Sequence, residues 1–391
     1  MTEIPSREEL VARATALAPL LRKHAAWAEE NRRLHDDVVE ALAEAGFNKL
    51  RRPKRHGGYE ADTRTLVEVA AELGRADGSA AWVAAVYWIP GWMTCHFPDH
   101  VQDEVFADAD TRVCGTLSPS AMAAPAEGGV VVNGKWQFIS GAHHAQWQEI
   151  IAIYVPADGE PYPIMALVPI TDLLIVDDWH TFGLKGTGSV STVAKDLFIP
   201  QDRVLPLPAV LAGQGASQLN ADGSIYRSPL MPVAAASSVG TIVGLGRAAR
   251  DAFLHRLPNR KITYTGYDSQ RDAPITHLQV AEATLKIDQA EFHAFRLADL
   301  VDSKTAGGEE WKLEERARAR ADMGAVIRLT KEAIDILATA SGGSSIYSDI
   351  PIQRISRDIQ AVNLHALMHP NTNFELYGRV LCGLEPNTLY I

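Results

Sequence analysis

The sequence predicts an α+β protein that is mainly α, with three parts in the order α, β, α. Apolar residues recur at helical spacing over residues 1–110, alternate with a period of two over residues 111–205, and return to helical spacing over residues 206–391. We therefore expect an N-terminal helical domain, a central β-barrel or sandwich, and a C-terminal helical bundle with those boundaries.

The composition argues against several classes of partner. The chain has 391 residues, of which 47% are hydrophobic, and its formal charge is −11. Because nucleic acids and anionic membranes are bound by clustered Lys and Arg, we expect neither as a partner. Two short basic runs, at residues 51–55 and 316–320, are predicted to lie on solvated surface.

The cysteines and the N-terminal sequence indicate a cytoplasmic protein. Cys95, Cys114 and Cys382 form no CxxC pair, so the sequence predicts neither a disulfide framework nor a zinc site. The first residues lack the basic and apolar regions of a signal peptide, and we expect no apolar run of membrane-spanning length.

The N-terminal part is predicted to be helical on both sides of one loop. Leu10, Ala14, Leu17 and Leu21 repeat at helical spacing before the loop "RRPKRHGGYEADT". The Ala-rich stretch "TLVEVAAELGRADGSAAWVAAV" then resumes as a buried pair of helices.

The central part is predicted to be a set of short strands. "GGVVVNGKWQFIS" reads as a hairpin with Asn133-Gly134 at its turn, since this pair tolerates the backbone of a type I′ turn. "EIIAIYVP", "YPIMALVPI" and "STVAKDLFIP" add further strands.

The C-terminal part carries two apolar stripes that are predicted to face the centre of a bundle. One stripe consists of Leu278, Ala281, Leu285, Phe292 and Phe295, and the other of Met323, Val326, Ile327, Ile334 and Leu337.

A lookalike of a dinucleotide-binding motif lies within these helices. Gly244, Gly246 and Ala249 satisfy G-x-G-x-x-A, but neighbouring apolar residues place the stretch on a helix rather than after a strand. We therefore expect the small residues to allow close helix packing, not to bind a nicotinamide cofactor.

Two polar motifs in the central part could bind a flat, phosphorylated cofactor. "FGLKGTGS" offers backbone N–H groups at its glycines and hydroxyls at Thr187 and Ser189. "WQFISGAHHAQW" places Ser140 and Gly141 at a strand end beside two tryptophans. His143 and His144 have no third ligand at metal-binding spacing, so no metal is expected.

Five ordered blocks of the chain resemble the acyl-CoA dehydrogenase superfamily. They are "HGGYEAD", "LSPS…VVVNGKWQFISGAHHAQW", "FGLKGTGS…DLFIP", "ASGGSSIYSDIPIQRISRDIQ" and the α, β, α order itself. The resemblance implies a central β-barrel between an N-terminal helical domain and a C-terminal four-helix bundle. It also implies a homodimer or homotetramer, with flavin between the β-domain and the bundles of two subunits.

The resemblance also assigns site residues. Flavin would contact Ser140, Gly141 and the turn formed by Thr187, Gly188 and Ser189. Arg260 would reach the flavin phosphate, often from a neighbouring subunit, and Gly342 and Gly343 match a turn that meets the adenine half of a partner's FAD.

The stretch "RDIQAVNLHALMHP" departs from the dehydrogenases. Their Tyr-Glu pair, whose glutamate is the catalytic base, falls on His365 and Ala366 here. The pattern looks instead like the branch of reduced-flavin-dependent monooxygenases. This implies reduced FAD or FMN from a separate NAD(P)H:flavin reductase, molecular oxygen, and a C4a-hydroperoxyflavin, with Ser140 and His365 as catalytic residues.

The expected substrate is a small aromatic molecule, such as an indole. Phenol hydroxylases of this branch place a histidine base where this chain has Pro90, so a ring that is already nucleophilic is favoured. Tyr87, Trp88, Trp92 and His96 are the candidate substrate pocket. Three alternatives stay open here: an acyl-CoA dehydrogenase with a displaced base, an amine N-oxygenase, and a non-catalytic ligand-binding protein.

Overall fold

The computed structural model describes residues 4–221 and 223–391 and begins with a helical part. Four of its helices start at side-chain caps: Ser6 forms a capping box with Glu9, and His35, Asp62 and Asp77 accept hydrogen bonds from the first turns of the second, third and fourth helices. The helices are α1 (Arg7–Asn31), α2 (Asp36–Glu44), α3 (Thr63–Ala76), α4 (Gly78–Thr94) and α5 (Asp99–Val105).

The basic run at residues 51–55 is only partly solvated surface: Lys54 and Arg55 are exposed as predicted, but Arg51 and Arg52 are not. Arg51 and Arg52 are only 3% and 2% exposed. Arg52 donates hydrogen bonds to the carbonyls of Asp108, Ala109 and Thr111, which follow α5. In the second run, Arg320 is also buried. A guanidinium has five donors, and here those donors satisfy loop carbonyls inside the protein.

The central part is one eight-stranded sheet. Strand β4 holds its centre, with β5 on one side and both β1 and β2 on the other, and the order is β6-β7-β3-β2-β4-β5-β8. The strands are β1 (Val113–Gly115), β2 (Ala121–Ala126), β3 (Gly129–Ile139), β4 (Trp147–Tyr154), β5 (Tyr162–Pro169), β6 (Leu174–Val176), β7 (Val190–Pro200) and β8 (Val204–Pro206).

The predicted hairpin turn at Asn133-Gly134 is wrong. β3 runs through this pair without reversing, and the β2–β3 turn lies earlier, where Gly128 has a φ of 76°. The pairing of β3 with β7 shifts register between Val132 and Gly134, and the Asn133 side chain exchanges hydrogen bonds with Asp196. The pair therefore forms an irregularity within a long strand.

The C-terminal part is built around α7, whose length and apolar composition would suffice to cross a membrane. However, 89% of its most apolar window is buried by other helices, so it is the core helix of the bundle. The helices are α6 (Leu207–Leu211), α7 (Leu230–Arg256), α8 (Pro274–Gly307), α9 (Leu313–Ala340), α10 (Pro351–Asn363) and α11 (Pro370–Leu381).

The dinucleotide-motif lookalike lies inside α7, where Gly244 and the preceding Gly240 face α3, and Gly246 faces α8 and α9. A Cβ atom at Gly244 would lie 2.5 Å from the Ala71 carbonyl oxygen, and one at Gly240 would lie 2.4 Å from that of Val67. The predicted role in close helix packing is therefore confirmed.

Of the two predicted bundle stripes, one is buried and the other is not. The stripe on α9 is fully buried, as predicted. On α8, however, Leu278, Leu285 and Phe292 are 72%, 61% and 61% exposed. The buried face of α8 is instead made mainly of small residues such as Ala283, Ala290 and Ala294, because small side chains allow close approach to α7 and α9.

Candidate functional site

Four side chains form a buried chain of hydrogen bonds where the β-sheet meets α4. The Trp82 indole Nε1 donates to Ser140 Oγ at 3.1 Å, and Ser140 Oγ lies 2.7 Å from Ser189 Oγ. Ser189 Oγ lies 2.6 Å from Thr187 Oγ1, which donates to the Leu184 carbonyl at 2.8 Å. All four residues are at most 7% exposed. The two predicted cofactor motifs therefore meet at Ser140.

Gly141 and Gly188 complete this turn with left-handed backbone. Their φ angles are 73° and 54°, and the Gly141 N–H donates to the Thr187 carbonyl at 2.9 Å. A Cβ atom at Gly141 would lie 2.3 Å from the Tyr87 hydroxyl, which donates to the Gly141 carbonyl. Both conformation and space therefore require glycine at position 141.

His365 lies on the other side of Trp82. The two rings meet edge to face, with their centroids 5.5 Å apart. His365 follows the end of α10 at an exposed position, with its ring against that of Trp82. Burial lowers the pKa of His365 to about 4, so the imidazole is neutral at pH 7.

The Arg357-Asp358 pair fastens α10 to the loop that carries Thr187. Arg357 donates to the Phe182 carbonyl at 2.6 Å, and Asp358 accepts from the Leu184 N–H at 2.6 Å. Leu184 is not a glycine, yet it has a φ of 50°. The carboxylate therefore holds a residue whose backbone conformation is unfavourable.

Arg260 lies beside the predicted adenine turn. Its Nη2 would be 3.0 Å from a Cβ at Gly342, and its Nη1 is buried without a hydrogen-bond partner. Gly342 has a φ of 63°, and Gly343 begins the short helical turn that follows. Within residues 4–221 and 223–391, no hydrogen bond links this group to Ser140. One chain thus holds two separate polar groups.

The four predicted pocket residues are packed within the protein. Tyr87, Trp88, Trp92 and His96 are at most 7% exposed, and the Trp88 and Trp92 indoles donate to backbone carbonyls. Tyr87 and Trp88 border a cavity of about 10 Å³, which is too small for an aromatic ring. Their role as a substrate pocket stays a prediction.

Sequence reasoning missed the α4 face that carries Trp82. Val86 and Ile89 follow Trp82 at spacings of four and seven, so they lie on the same side of the helix. Both are partly exposed, whereas almost every other residue of α4 is buried. A single large aromatic in the Ala-rich run "SAAWVAAV" is the signal that could have identified this face.

One group of potential metal ligands exists among the described residues, namely His24, His35 and Asp37. The two imidazoles stack with centroids 4.0 Å apart, and His35 Nδ1 already accepts the Asp37 N–H. This contact caps α2, so the group is explained by local structure.

Two family models match the chain. The N-terminal domain of acyl-CoA dehydrogenase matches residues 9–105, and the C-terminal domain of acyl-CoA dehydrogenase matches residues 236–370. Together they cover the helical parts on both sides of the sheet.

Known proteins are similar to this chain over nearly its whole length. The oxygenase subunit HsaA, a flavin-dependent monooxygenase of Rhodococcus jostii, is 32% identical over 95% of this chain and 98% of its own. The oxygenase component of an FADH2-dependent resorcinol hydroxylase from a Rhizobium species is 31% identical over 97% and 96%.

A solved structure has the same fold. XiaF of a Streptomyces species, determined with FADH2 and glycerol, has a TM-score of 0.91 and 31% identity over 98% of this chain and 97% of its own. The curated relatives at this identity are monooxygenase components, so the dehydrogenase alternative is not supported. The chain belongs to the acyl-CoA dehydrogenase family and, within it, to the oxygenase components of two-component flavin-dependent monooxygenases.

Proposed function

We propose that this chain receives FADH2 or FMNH2 from a separate NAD(P)H:flavin reductase and uses it with molecular oxygen to hydroxylate a small aromatic molecule, with Ser140 and His365 as catalytic residues. The observation that carries the assignment of these residues is their shared contact with Trp82. Its indole N–H binds Ser140 and its ring edge packs against His365. A hydroxyl for the flavin and an imidazole for the oxygen chemistry thus lie around one side chain.

The residues present fit a reduced flavin. Gly141 and Gly188 open the backbone beside the Ser140 hydroxyl, and the buried, unpartnered Nη1 of Arg260 suits a phosphate oxygen. Gly342 and Gly343 border that guanidinium. When bound, the reduced flavin supplies the two electrons and the carbon centre that activate oxygen.

The chain's own residues would orient the cofactor and control protons. Ser140 would accept a hydrogen bond from the flavin N5–H, and Thr187 and Ser189 would hold the Ser140 hydroxyl in place. His365 is neutral at pH 7, so its imidazole has one nitrogen that can donate a proton and one that can accept a proton. Trp82, Val86 and Ile89 would keep water from the reacting atoms.

For the substrate, we propose an electron-rich ring that reacts without deprotonation, such as an indole. Curated relatives include the resorcinol hydroxylase component and an indole-3-acetate monooxygenase of Pseudomonas putida, which is 28% identical. Pro90 offers no side-chain base to deprotonate a phenol. A ring that is nucleophilic without deprotonation therefore suits the site best.

We also propose that the chain assembles as a homodimer or homotetramer. Leu278, Leu285 and Phe292 recur every seven residues on α8 and are all more than 60% exposed. Such a stripe is suited to a second copy of the chain. Because Arg260 and Ser140 form separate groups within one chain, a neighbouring subunit could supply Arg260 to the flavin.

The test is oxygen transfer from labelled oxygen. The purified chain, a separate flavin reductase, NADH and FAD or FMN would be incubated under ¹⁸O₂ with phenols, resorcinol, indoles and amines, with catalase present to remove free peroxide. We expect one labelled oxygen atom in a product from an aromatic ring. Labelled product from the amines alone would favour N-oxygenation. Flavin oxidation without any labelled product across the panel would contradict the proposal.

A further inference from the structure

The hydrogen-bond chain at Ser140 has a fixed direction. It ends at the Leu184 carbonyl oxygen, which can only accept, so the Thr187 hydroxyl must donate there. Thr187 has one proton, and therefore it accepts from Ser189 across the 2.6 Å contact. By the same count, Ser189 accepts from Ser140 across the 2.7 Å contact.

This direction decides what Ser140 can offer a ligand. Its only proton points to Ser189, and one of its two lone pairs accepts the Trp82 N–H at 3.1 Å. Among the residues that the structure describes, Ser140 Oγ has no third side-chain partner. One lone pair is left, so Ser140 presents an acceptor and no donor.

The acceptor end of the chain is held firmly. The Leu184 carbonyl also receives the Trp179 indole N–H at 3.1 Å and the Thr187 N–H at 3.2 Å. The Leu184 N–H is bound by Asp358. These contacts hold the carbonyl oxygen beside Thr187; because that oxygen can only accept, the Thr187 hydroxyl donates to it, and the order of the remaining protons follows.

We propose that Thr187 and Ser189 are positioning residues that make this site select reduced over oxidised flavin. This inference rests on the proposed function. Reduced flavin carries a hydrogen on N5 and can donate to the free lone pair of Ser140. The N5 atom of oxidised flavin has a lone pair and no hydrogen, so it meets a second acceptor in a buried site. One buried hydrogen bond made or lost changes affinity roughly tenfold.

The variant Thr187→Val tests the direction. Without the Thr187 hydroxyl, Ser189 can donate to Ser140, and the Ser140 proton becomes free to point into the site. We expect the ratio of dissociation constants, oxidised over reduced flavin, to fall roughly tenfold. For a two-electron couple, this is a drop of about 30 mV in the midpoint potential of the bound flavin. Ser189→Ala should have the same effect, because it also removes the acceptor of the Ser140 proton.

Three control variants distinguish a change in hydrogen-bond direction from a general disruption of the site. Thr187→Ser keeps the chain and should keep the ratio. Thr192→Val removes a buried hydroxyl that has no partner, three residues beyond Ser189, and should leave the ratio unchanged. Trp82→Phe removes the indole N–H at the far end and keeps an aromatic ring there, so the protons keep their order and the preference for reduced flavin should persist.

The experiment measures binding of dithionite-reduced and oxidised FMN and FAD by anaerobic titration, with melting temperature as the check on folding. If folded Thr187→Val and Ser189→Ala both keep the wild-type ratio, the inference is wrong even where the wild-type chain forms hydroxylated product. If the wild-type chain binds neither flavin in either state, the proposed function itself fails.

Discussion

At the scale of single residues, two groups of the site have strongly shifted pKa values. His365 has a pKa of about 4, and burial raises the pKa of Asp358 to about 7. Both shifts arise because a poorly solvated environment disfavours the charged form. At pH 7, His365 is therefore neutral, whereas Asp358 is divided between its neutral and its charged form.

The low pKa of His365 predicts how activity depends on pH. The unfolded chain takes up this proton near pH 6.5, whereas the folded chain takes it up near pH 4. Acidification from pH 6.5 towards pH 4 therefore lowers the free energy of unfolding through this group. Because the imidazole does not become protonated near pH 6.5 in the folded chain, we expect the plot of activity against pH to show no change there that is due to His365.

Removing the imidazole should lower activity while binding persists. We expect His365→Ala to reduce product formed per flavin oxidised by about 100-fold, with little change in affinity for reduced flavin. His255→Ala, at an exposed position of α7, is the matched control. Equal yields from both variants would exclude a role for His365 in the chemistry.

Asp358 should make stability fall as the pH rises. Its folded pKa lies above the unfolded value, so the folded chain binds the extra proton and loses this stabilisation as the pH passes through about 7. Between pH 5.5 and 8.5 we expect the wild-type chain to lose about 2 kcal/mol more unfolding free energy than Asp358→Asn. Urea titrations at both pH values measure this, and exposed Asp172→Asn should behave like wild type.

At the scale of elements, close packing between α3 and α7 depends on glycine. We expect Gly244→Ala to cost about 2 kcal/mol of unfolding free energy, because its Cβ would lie 2.5 Å from a carbonyl oxygen of α3. Gly378→Ala on α11, where nothing lies within 4 Å, should instead be neutral or stabilising by up to about 1 kcal/mol. Similar denaturation midpoints for the two variants would contradict this account.

The spacing of apolar residues was enough to predict the type and order of the helices and strands. It was not always enough to predict which face of a helix is buried. On α9 the large apolar residues form the core, whereas on α8 the large ones are exposed and the alanines are buried. A helix with two apolar faces does not reveal from its own sequence which one meets a neighbour. Asn133-Gly134 was misjudged for a related reason, because a local turn preference was overridden by pairing with β7.

The candidate site was predictable where a motif marked it. Ser140, Thr187 and Ser189 lie in two recognisable turns, and the structure brings those turns together. Trp82 and the Asp358 contact with Leu184 depend on residues more than 50 positions apart. Such pairs are set by the fold as a whole, so no local pattern identifies them. The domain boundaries at residues 110 and 205 and the roles of the site residues stay predictions.

At the scale of the whole molecule, the exposed stripe on α8 predicts assembly. We expect Leu285→Lys to reduce the molecular mass measured by light scattering, because it places a charge within an apolar contact between subunits. Leu174→Lys changes a leucine of β6 that is 66% exposed, and should leave the mass unchanged. A wild-type chain that is monomeric at micromolar concentration would refute the assembly.

The contact between Asp358 and Leu184 also bears on how the enzyme is made. Strands β3 and β7, which border the turns of Ser140 and Thr187, come before α10 in the chain and are synthesised first. A nascent chain can therefore form its sheet before Leu184 has its anchor. The hydrogen bond that holds Leu184 at its positive φ is made only after α10 has been synthesised, so the loop that carries Thr187 takes its final form after the sheet.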